Sequence, residues 1–227
     1  MKQFGIFTAA VIVGLVAIGA VAADRCHLRE IDLCIASGAG NNKISTTEAE
    51  VDKQCGVMNE VSECLGNYTQ TCATPIQREI VALVSEGARD VQKKFCTRGE
   101  KLRTEYLKHA PCLAKAQPQG RKCLNDVQAG LERIEEASFQ NRISTACCVY
   151  SRYSSCSTQV VESNCGKGAV EYSNLLIRLA TANLLDVVCQ SFLNNPVCDT
   201  LLPPPGTKAK GNSKSIVSRL FNAYVSS

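Results

Sequence analysis

Fourteen cysteines among 227 residues constrain this chain more than any other feature of its sequence. They lie between Cys26 and Cys198, and their number is even, as expected for a fully paired set of disulfides in a secreted chain. Side chains with rings are scarce, with two His, six Phe, six Tyr and no Trp. We therefore expect up to seven disulfides and no free thiol.

Zinc binding is the other common use of closely spaced cysteines. The chain contains no Cys-x-x-Cys, and His109-Ala-Pro-Cys112 is the only similar spacing. The sequence therefore predicts neither a metal site nor a bound cofactor.

The N-terminal segment 1–23 has the pattern of a secretory signal peptide. A basic start at Met1-Lys2-Gln3 precedes a run of apolar and small residues over 4–23, which ends in Ala20-Val21-Ala22-Ala23. The alternative is an uncleaved membrane anchor, because about 20 apolar residues can span a bilayer. In both cases Lys2 on the cytoplasmic side places the remaining chain outside the cell. We predict a secreted, extracellular protein.

The positive charge of the chain is concentrated at its C-terminal end. The formal net charge is +4, and residues 200–227 contain Lys208, Lys210, Lys214 and Arg219 but no acidic residue. The rest of the predicted mature chain is close to neutral. A basic surface for nucleic acid is therefore not expected.

Apolar residues recur at helical spacing along most of the chain, whereas the alternating pattern of strands is nearly absent. A capping box of Ser45 and Glu48 predicts the start of one long helix, and Thr74-Pro75 predicts the start of the next. Pro111 is expected to end a third helix, and residues 117–120 to form a loop. The sequence predicts an all-α, disulfide-stapled helical bundle with a Pro-rich linker and a short C-terminal amphipathic helix.

Three more helices are expected in the second half of the chain, over 124–134, 143–165 and 169–192. The last of these has a wide Leu-rich face, so we expect it to be the most buried.

The cysteine spacing indicates two similar helical halves. Two short intervals and one long interval separate Cys55, Cys64, Cys72 and Cys96, and nearly the same intervals separate Cys148, Cys156, Cys165 and Cys189. Duplication explains this similarity; the alternative is that helical hairpins with terminal cysteines produce it by chance. The predicted division is a signal peptide at 1–23, helical halves at 24–112 and 113–199, and a Pro-rich basic tail at 200–227.

Helix geometry predicts particular disulfides. Cys55 and Cys96 lie at nearly equal distances from a turn near residue 74, so a rise of about 1.5 Å per residue brings them level in a hairpin. The repeat then predicts Cys148–Cys189. The same geometry predicts Cys64–Cys112 and its counterpart Cys156–Cys198.

No motif indicates catalysis. Cys147-Cys148 is similar to the vicinal pair of secreted phospholipases, but Val149-Tyr150 follows where those enzymes have a catalytic His-Asp pair. Two disulfides that leave one helical turn in different directions are the expected structure. Glu132 and Glu136 have the spacing of an acid and base pair, although a solvated helix face is the commoner arrangement. We expect a non-enzymatic protein.

Asn67-Tyr68-Thr69 is the only sequon for N-glycosylation in the chain. Tyr68 belongs to an apolar stripe, which turns Asn67 toward water. Asn67 is therefore the candidate glycosylation site.

The C-terminal tail differs in character from the rest of the chain. Pro203-Pro204-Pro205-Gly206 forms a stiff break, and a basic amphipathic stripe follows it. The stripe is expected to contact an anionic surface, a protein partner or the protein's own helices. Its contact residues are Lys214, Ile216, Val217, Arg219, Leu220, Phe221 and Tyr224.

The Cys-bounded helices, the sequon at Asn67, the Cys147-Cys148 pair and the predicted signal peptide together resemble the arthropod haemolymph glycoprotein-like family and related secreted Cys-rich helical proteins. The resemblance covers residues 45–198 and implies an extracellular protein without catalytic residues. We expect an extracellular binding or carrier module for a small apolar ligand or an extracellular protein. The alternatives are a structural constituent of a secreted material, such as silk, glue or cuticle, and a secreted toxin or inhibitor-like effector.

Overall fold

A computed structural model describes residues 26–27, 29–38 and 43–211, which contain helices and no strand. The α-helices are α1 (Arg29–Gly38), α2 (Glu48–Cys72), α3 (Pro75–Cys96), α4 (Lys101–Glu136), α5 (Arg142–Ala180), α6 (Leu184–Cys189) and α7 (Val197–Leu201). Two short 3-10 helices span Phe139–Asn141 and Gln190–Phe192. Seven disulfides join the helices, so the predicted all-α, disulfide-stapled fold is confirmed.

The hairpin of α1 and α2 is held by two nested disulfides. Cys26–Cys72 and Cys34–Cys64 bring the Cα atoms of each pair to 5.2 and 5.6 Å. Gly38 permits this approach, because a Cβ atom at its position would lie only 2.7 Å from a methyl group of Val61. The two helices are therefore in close contact along α1.

The start of α3 agrees with the sequence, and the start of α2 is displaced. Thr74 accepts a hydrogen bond from the Gln77 amide, and Pro75 is the first helical residue. For α2 the capping box is formed by Thr47 and Glu50, two positions later than the predicted Ser45 and Glu48. Glu48 is used elsewhere, as a partner of a buried arginine.

The fourth helix contradicts the prediction of two helices separated by a loop. It runs from Lys101 to Glu136 and includes Pro111, Pro118 and all of residues 117–120. A proline inside a helix costs about 3 kcal/mol, because it lacks an N–H donor and its ring crowds the preceding turn. Both prolines are exposed, and the turns beside them are cross-linked to α5 by Cys112–Cys165 and Cys123–Cys156. Packing and disulfides therefore maintain α4 through both prolines.

A break in α5 separates the predicted helices over 143–165 and 169–192. Gly166 has φ 78° and ψ 175°, which no helix accommodates. The second of these helices is not the most buried, contrary to the prediction. The chain bends at Ala182 and Asn183, which both have positive φ. The axis of α6 is therefore inclined by 98° to that of the preceding helix. The Leu-rich face is therefore split, and several of its apolar side chains are exposed.

Three clusters of buried side chains form the core. Val51, Cys55 and Phe95 join α2 and α3, with partly buried α4 residues packed against them. Ala116, Cys123 and Val160 join α4 and α5. Cys148, Val149 and Leu202 join α5 to the segment after α7. The core therefore follows α4 and α5, which form the most extensive helix pair.

All fourteen cysteines are paired, so the expectation of seven disulfides is confirmed, as is the bond Cys55–Cys96. The other three predicted pairs are wrong. Cys64 bonds to Cys34, Cys112 to Cys165, Cys156 to Cys123, Cys189 to Cys147 and Cys198 to Cys148. The errors at Cys112 and Cys156 arise because the continuous α4 faces α5. The error at Cys148 arises because neighbouring helical residues point about 100° apart.

The disulfides follow the same order in both halves of the chain. Nested bonds Cys26–Cys72 and Cys34–Cys64, with sequence separations of 46 and 30, correspond to Cys112–Cys165 and Cys123–Cys156, with 53 and 33. A third bond leads out of each hairpin, Cys55–Cys96 and Cys147–Cys189, with separations of 41 and 42. Duplication stays a prediction, as does the boundary at 112/113, which lies inside α4.

Within the described part of the chain, no helix alone combines the length and apolar composition needed to cross a membrane. One bent pair, 139–180 with 184–192, meets those criteria only when its two arms are taken together. The predicted signal peptide at 1–23 lies outside the described residues.

Candidate functional site

A groove of about 1000 Å³ lies between α1, α2 and α4. We call it the α2 groove, because α2 contributes more of its lining residues than any other helix. Its apolar residues are Ile35, Ile44, Val57, Met58, Val61 and Ala114, and its polar residues include Lys43, Lys53, Gln54, Ser62, Gln92 and Gln117.

The apolar wall of the α2 groove follows from the helical repeat. Val57, Met58 and Val61 are spaced so that they share one face of α2. Ile35 of α1 and Ala114 of α4 lie on the neighbouring walls. All of these side chains are half-buried except Val57, which is 36% exposed. The wall therefore offers apolar surface to a molecule that enters from solvent.

Two lysines make the opening of the α2 groove positive. Lys43 and Lys53 are exposed, and neither has an acidic partner within ion-pair distance among the described residues. Glu50 also lines the groove, but its carboxylate accepts hydrogen bonds from the amides of Thr46 and Thr47. These bonds, chiefly that of the Thr46 amide, lower the pKa of Glu50. The carboxylate is thus engaged in the helix cap, and the lysines are not.

One edge of the groove is fixed by an amide network between α2 and α3. Gln92 accepts a hydrogen bond of 2.9 Å from the Ser62 hydroxyl. Its amide nitrogen donates to the side-chain oxygen of Asn59 over 2.8 Å. Gln92 therefore holds the two helices in register beside the groove.

A buried arginine holds the N-terminal turn of α2 against α4. Arg103 is fully buried and donates to the carboxylates of Glu48 and Asp52 over 2.7 and 2.6 Å. It also donates to the main-chain carbonyl of Glu48 over 3.1 Å. Arg98 pairs with Asp52 as well, and the hydrogen bonds from Arg98 and Arg103 lower the pKa of Asp52 to about 2. This cluster is complete in itself, so its role is structural.

Residues 203–211, here called the C-terminal strap, are bound to α4 by carboxylates. The amide of Gly206 donates to Asp126 over 2.7 Å. The amides of Lys210 and Gly211 donate to the two carboxylate oxygens of Glu132 over 2.7 and 2.8 Å. The Lys210 ammonium binds Glu136, which lowers the pKa of that carboxyl. Glu132 and Glu136, weighed above as an acid and base pair, thus anchor the chain that follows α7.

The sequon lies on the exposed side of α2. Asn67 is exposed, whereas Tyr68 is half-buried and its hydroxyl donates to the carbonyl of Cys26 over 3.2 Å. The predicted orientation of Asn67 is therefore confirmed. The vicinal pair Cys147-Cys148 sends its two bonds in different directions, as predicted, and the partners are Cys189 and Cys198. The predicted contact residues of the tail, Lys214 to Tyr224, lie outside the described residues.

Over the described ranges, no group of three or more His, Cys, Asp or Glu is placed to hold a metal ion. Cys112 is bonded to Cys165, and the ring of His109 lies 5.5 Å from that of Tyr172.

In comparisons with known proteins, no family model, no curated protein and no solved structure matches this chain.

The α2 groove is not predicted by the sequence. Val57, Met58 and Val61 form an apolar stripe of α2 that helical spacing alone indicates. Which part of that stripe is covered depends on the positions of α1 and α4. Those positions follow from Cys34–Cys64 and from the continuity of α4, and neither was predicted.

Proposed function

We propose that this protein is an extracellular, non-enzymatic binding module that carries a small amphiphile in the α2 groove. Its seven disulfides support an oxidising compartment, where such bonds persist. The single observation that carries the proposal is the combination of a half-buried apolar wall with two lysines that have no acidic partner among the described residues. A ligand with an apolar body and an anionic head group would satisfy both features.

The size of the groove limits the class of ligand. Pockets for drug-sized molecules have volumes of about 300–1000 Å³, and the α2 groove lies at the upper end of this range. A fatty acid or a similar monoanionic amphiphile fits the description. Because the groove is open to solvent, the ligand would enter without unfolding of the disulfide-bonded helices.

Binding of dansyl-undecanoic acid to the oxidised full chain tests this proposal. The dye should become fluorescent on binding, and Val57→Asp should weaken its affinity about tenfold or more, because a carboxylate would then face the apolar chain. Val81→Asp is the matched control, since Val81 is similarly exposed on α3 and lies outside the groove. Failure of the native protein to bind, or equal losses in the two variants, would overturn the proposal.

The lysines are tested with a pair of probes that differ only in charge. Replacing Lys43 and Lys53 by Gln should weaken binding of the acid several-fold and leave binding of its methyl ester nearly unchanged. Lys122→Gln is the control, because Lys122 is an exposed lysine of α4 away from the groove. Equal loss for acid and ester would contradict recognition of an anionic head group.

We also propose that Asn67 carries an N-linked glycan. Its exposure on α2 and the sequon that it begins support this assignment. Digestion of the secreted protein with a glycan-removing amidase should lower its apparent mass and convert Asn67 to Asp. Asn67→Gln should abolish the shift, and an unchanged shift in that variant would contradict the assignment.

A further inference from the structure

We infer that the C-terminal amphipathic segment, residues 214–225, binds the protein's own exposed apolar surface at the junction of α4, α5 and α6. This surface, here called the junction patch, consists of Phe139, Ile143, Val187 and Val188. The inference is independent of the α2 groove, which meets α4 near its middle, at Ala114 and Gln117.

The junction patch is unusually exposed for apolar side chains of a disulfide-bonded extracellular protein. Phe139 is 83% exposed, Ile143 64% and Val187 74%. Phe139 belongs to the 3-10 helix that leads directly into α5, and Ile143 follows it by four positions in the first turn of α5. Val188 precedes Cys189, whose bond to Cys147 brings the Cα atoms to 5.0 Å, one helical turn beyond Ile143. The four side chains therefore lie in one neighbourhood.

The C-terminal strap directs the following residues to this patch. It first contacts α4 at Asp126, through Gly206, and later at Glu132 and Glu136, through Lys210. The strap thus runs toward the C-terminal end of α4. Phe139 follows Glu136 by three positions, a distance of at most about 11 Å between Cα atoms.

The length of chain after the strap is sufficient to reach the patch. Five steps of the chain lead from Gly211 to Ile216, the first apolar residue of the segment, and they span up to about 17 Å when extended. The apolar residues then recur at helical spacing, at Ile216, Val217, Leu220, Phe221, Tyr224 and Val225. An isolated helix of this length is marginal in water, so its apolar face requires a partner.

Charge permits the same arrangement. Lys214 and Arg219 border the apolar stripe of the segment. Asp186 lies on α6 next to Val187 and Val188 and supplies an acidic group at the edge of the patch. The nearby basic residue Arg142 donates a hydrogen bond of 3.4 Å to the carbonyl of Ala137, the residue that follows α4.

The absence of tryptophan provides a direct test in the full chain. Phe221→Trp introduces a single indole on the apolar stripe, and its emission should be blue-shifted because the ring is covered. Adding Phe139→Ser and Ile143→Ser should shift the emission to the red. Adding Ile76→Ser and Leu83→Ser instead should leave it blue-shifted, because these similarly exposed residues lie on α3. Asn222→Trp, on the polar side of the stripe, should emit in the red throughout.

Three results would overturn the inference. The first is red emission from Phe221→Trp in the otherwise native chain. The second is blue emission that persists when Phe139 and Ile143 are replaced. The third is blue emission that is lost on dilution, since it would assign the covering surface to a second copy of the chain.

Vesicles of phosphatidylcholine mixed with anionic phosphatidylserine serve as the competing surface for the same Phe221→Trp protein. Emission that does not change when vesicles are added supports docking on the protein. A further blue shift that Phe139→Ser does not alter contradicts it, because the segment would then prefer the lipid surface whether or not the junction patch is intact.

Discussion

The two halves of the molecule contain the same sequence of disulfides and differ in what covers them. In the first half, two nested bonds close α1 on α2 and a third leads to α3, and the adjoining groove stays open. In the second half, the equivalent bonds join α4 to α5 and α5 to α6, and an additional bond, Cys148–Cys198, brings the following segment onto α4. One extra cysteine pair thus distinguishes a covered half from an open one.

The comparison shows how similar frameworks can serve different purposes. Leu202 fills the core beside Cys148 and Val149, and the C-terminal strap then satisfies three carboxylates of α4. Among the described residues, no such segment lies against α2, and the apolar stripe of that helix is left as the wall of the α2 groove. The first half therefore presents an open apolar groove, whereas the strap covers the corresponding surface of the second half.

Removal of the additional disulfide, Cys148–Cys198, should have the largest effect on the difference between the two halves. Cys148→Ala with Cys198→Ala should lower the free energy of unfolding by about 4 kcal/mol, because the bond closes a loop with a sequence separation of 50. The strap should also lose protection in hydrogen exchange followed by mass spectrometry. The matched variant, Cys34→Ala with Cys64→Ala, should cost nearly as much but leave strap protection unchanged. Equal protection of the strap in both variants would contradict the role assigned to Cys148–Cys198.

The second prediction concerns the buried cation that fixes α2 to α4. Glu48→Gln with Asp52→Asn leaves the fully buried Arg103 without a counter-charge and should cost about 3 kcal/mol in denaturant unfolding. Asp90→Asn, which removes the exposed ion pair with Lys94, should cost less than about 1 kcal/mol. If the two variants were equally stable, the arginine cluster would not be what holds α2 in place beside its groove.

The third prediction concerns the close contact between the halves at Gly87. A Cβ atom there would lie 2.5 Å from the carbonyl oxygen of Leu179, which is backbone and cannot move aside freely. Gly87→Ala should therefore lower stability by about 2 kcal/mol despite the better helix propensity of alanine. Gly56→Ala, in open space on α2, should raise stability by up to about 1 kcal/mol. Thermal unfolding compares the two, and a stabilising Gly87→Ala would show that the halves are not in tight contact.

The smallest effect is the acid sensitivity of the first half. Asp52 has its pKa lowered from 3.8 to about 2 in the folded protein, so the unfolded chain takes up the proton at higher pH. The stabilisation by Asp52 is complete above about pH 4 and is lost as the pH falls toward 2. Unfolding curves across this range should show a smaller acid loss in Asp52→Asn than in the native protein. An identical pH dependence in both would exclude Asp52 as a source of the acid loss.

Local signals in the sequence were sufficient to predict where α3 begins. They were also sufficient to predict the disulfide between the two hairpin helices of similar length, α2 and α3. Thr74-Pro75 fixes the turn, and Cys55 and Cys96 then lie level on either side of it. Pro111 shows the limit of such reasoning. Its local effect is to break a helix, but α4 is held immediately after Pro111, at Cys112, and again at Cys123 by bonds to α5 that no local pattern indicates.

The candidate site was less accessible to prediction than the fold. Periodicity places Val57 and Val61 on an apolar face, but it does not say whether another helix covers that face. The same limitation applies to Leu184 and Val187, which belong to an apolar stripe and are exposed. In both cases the outcome depends on contacts between residues that are far apart in the sequence.

The connectivity of the cysteines determines how this chain must mature as it is synthesised. No native bond joins two cysteines that are consecutive in sequence, so pairing each thiol with the one that emerged just before it would produce only incorrect bonds. Thiol exchange is therefore obligatory when pairing begins in that way. At the same time, no bond spans the interval between Cys96 and Cys112. Shuffling of the first six cysteines can thus be finished before the remaining eight have left the ribosome.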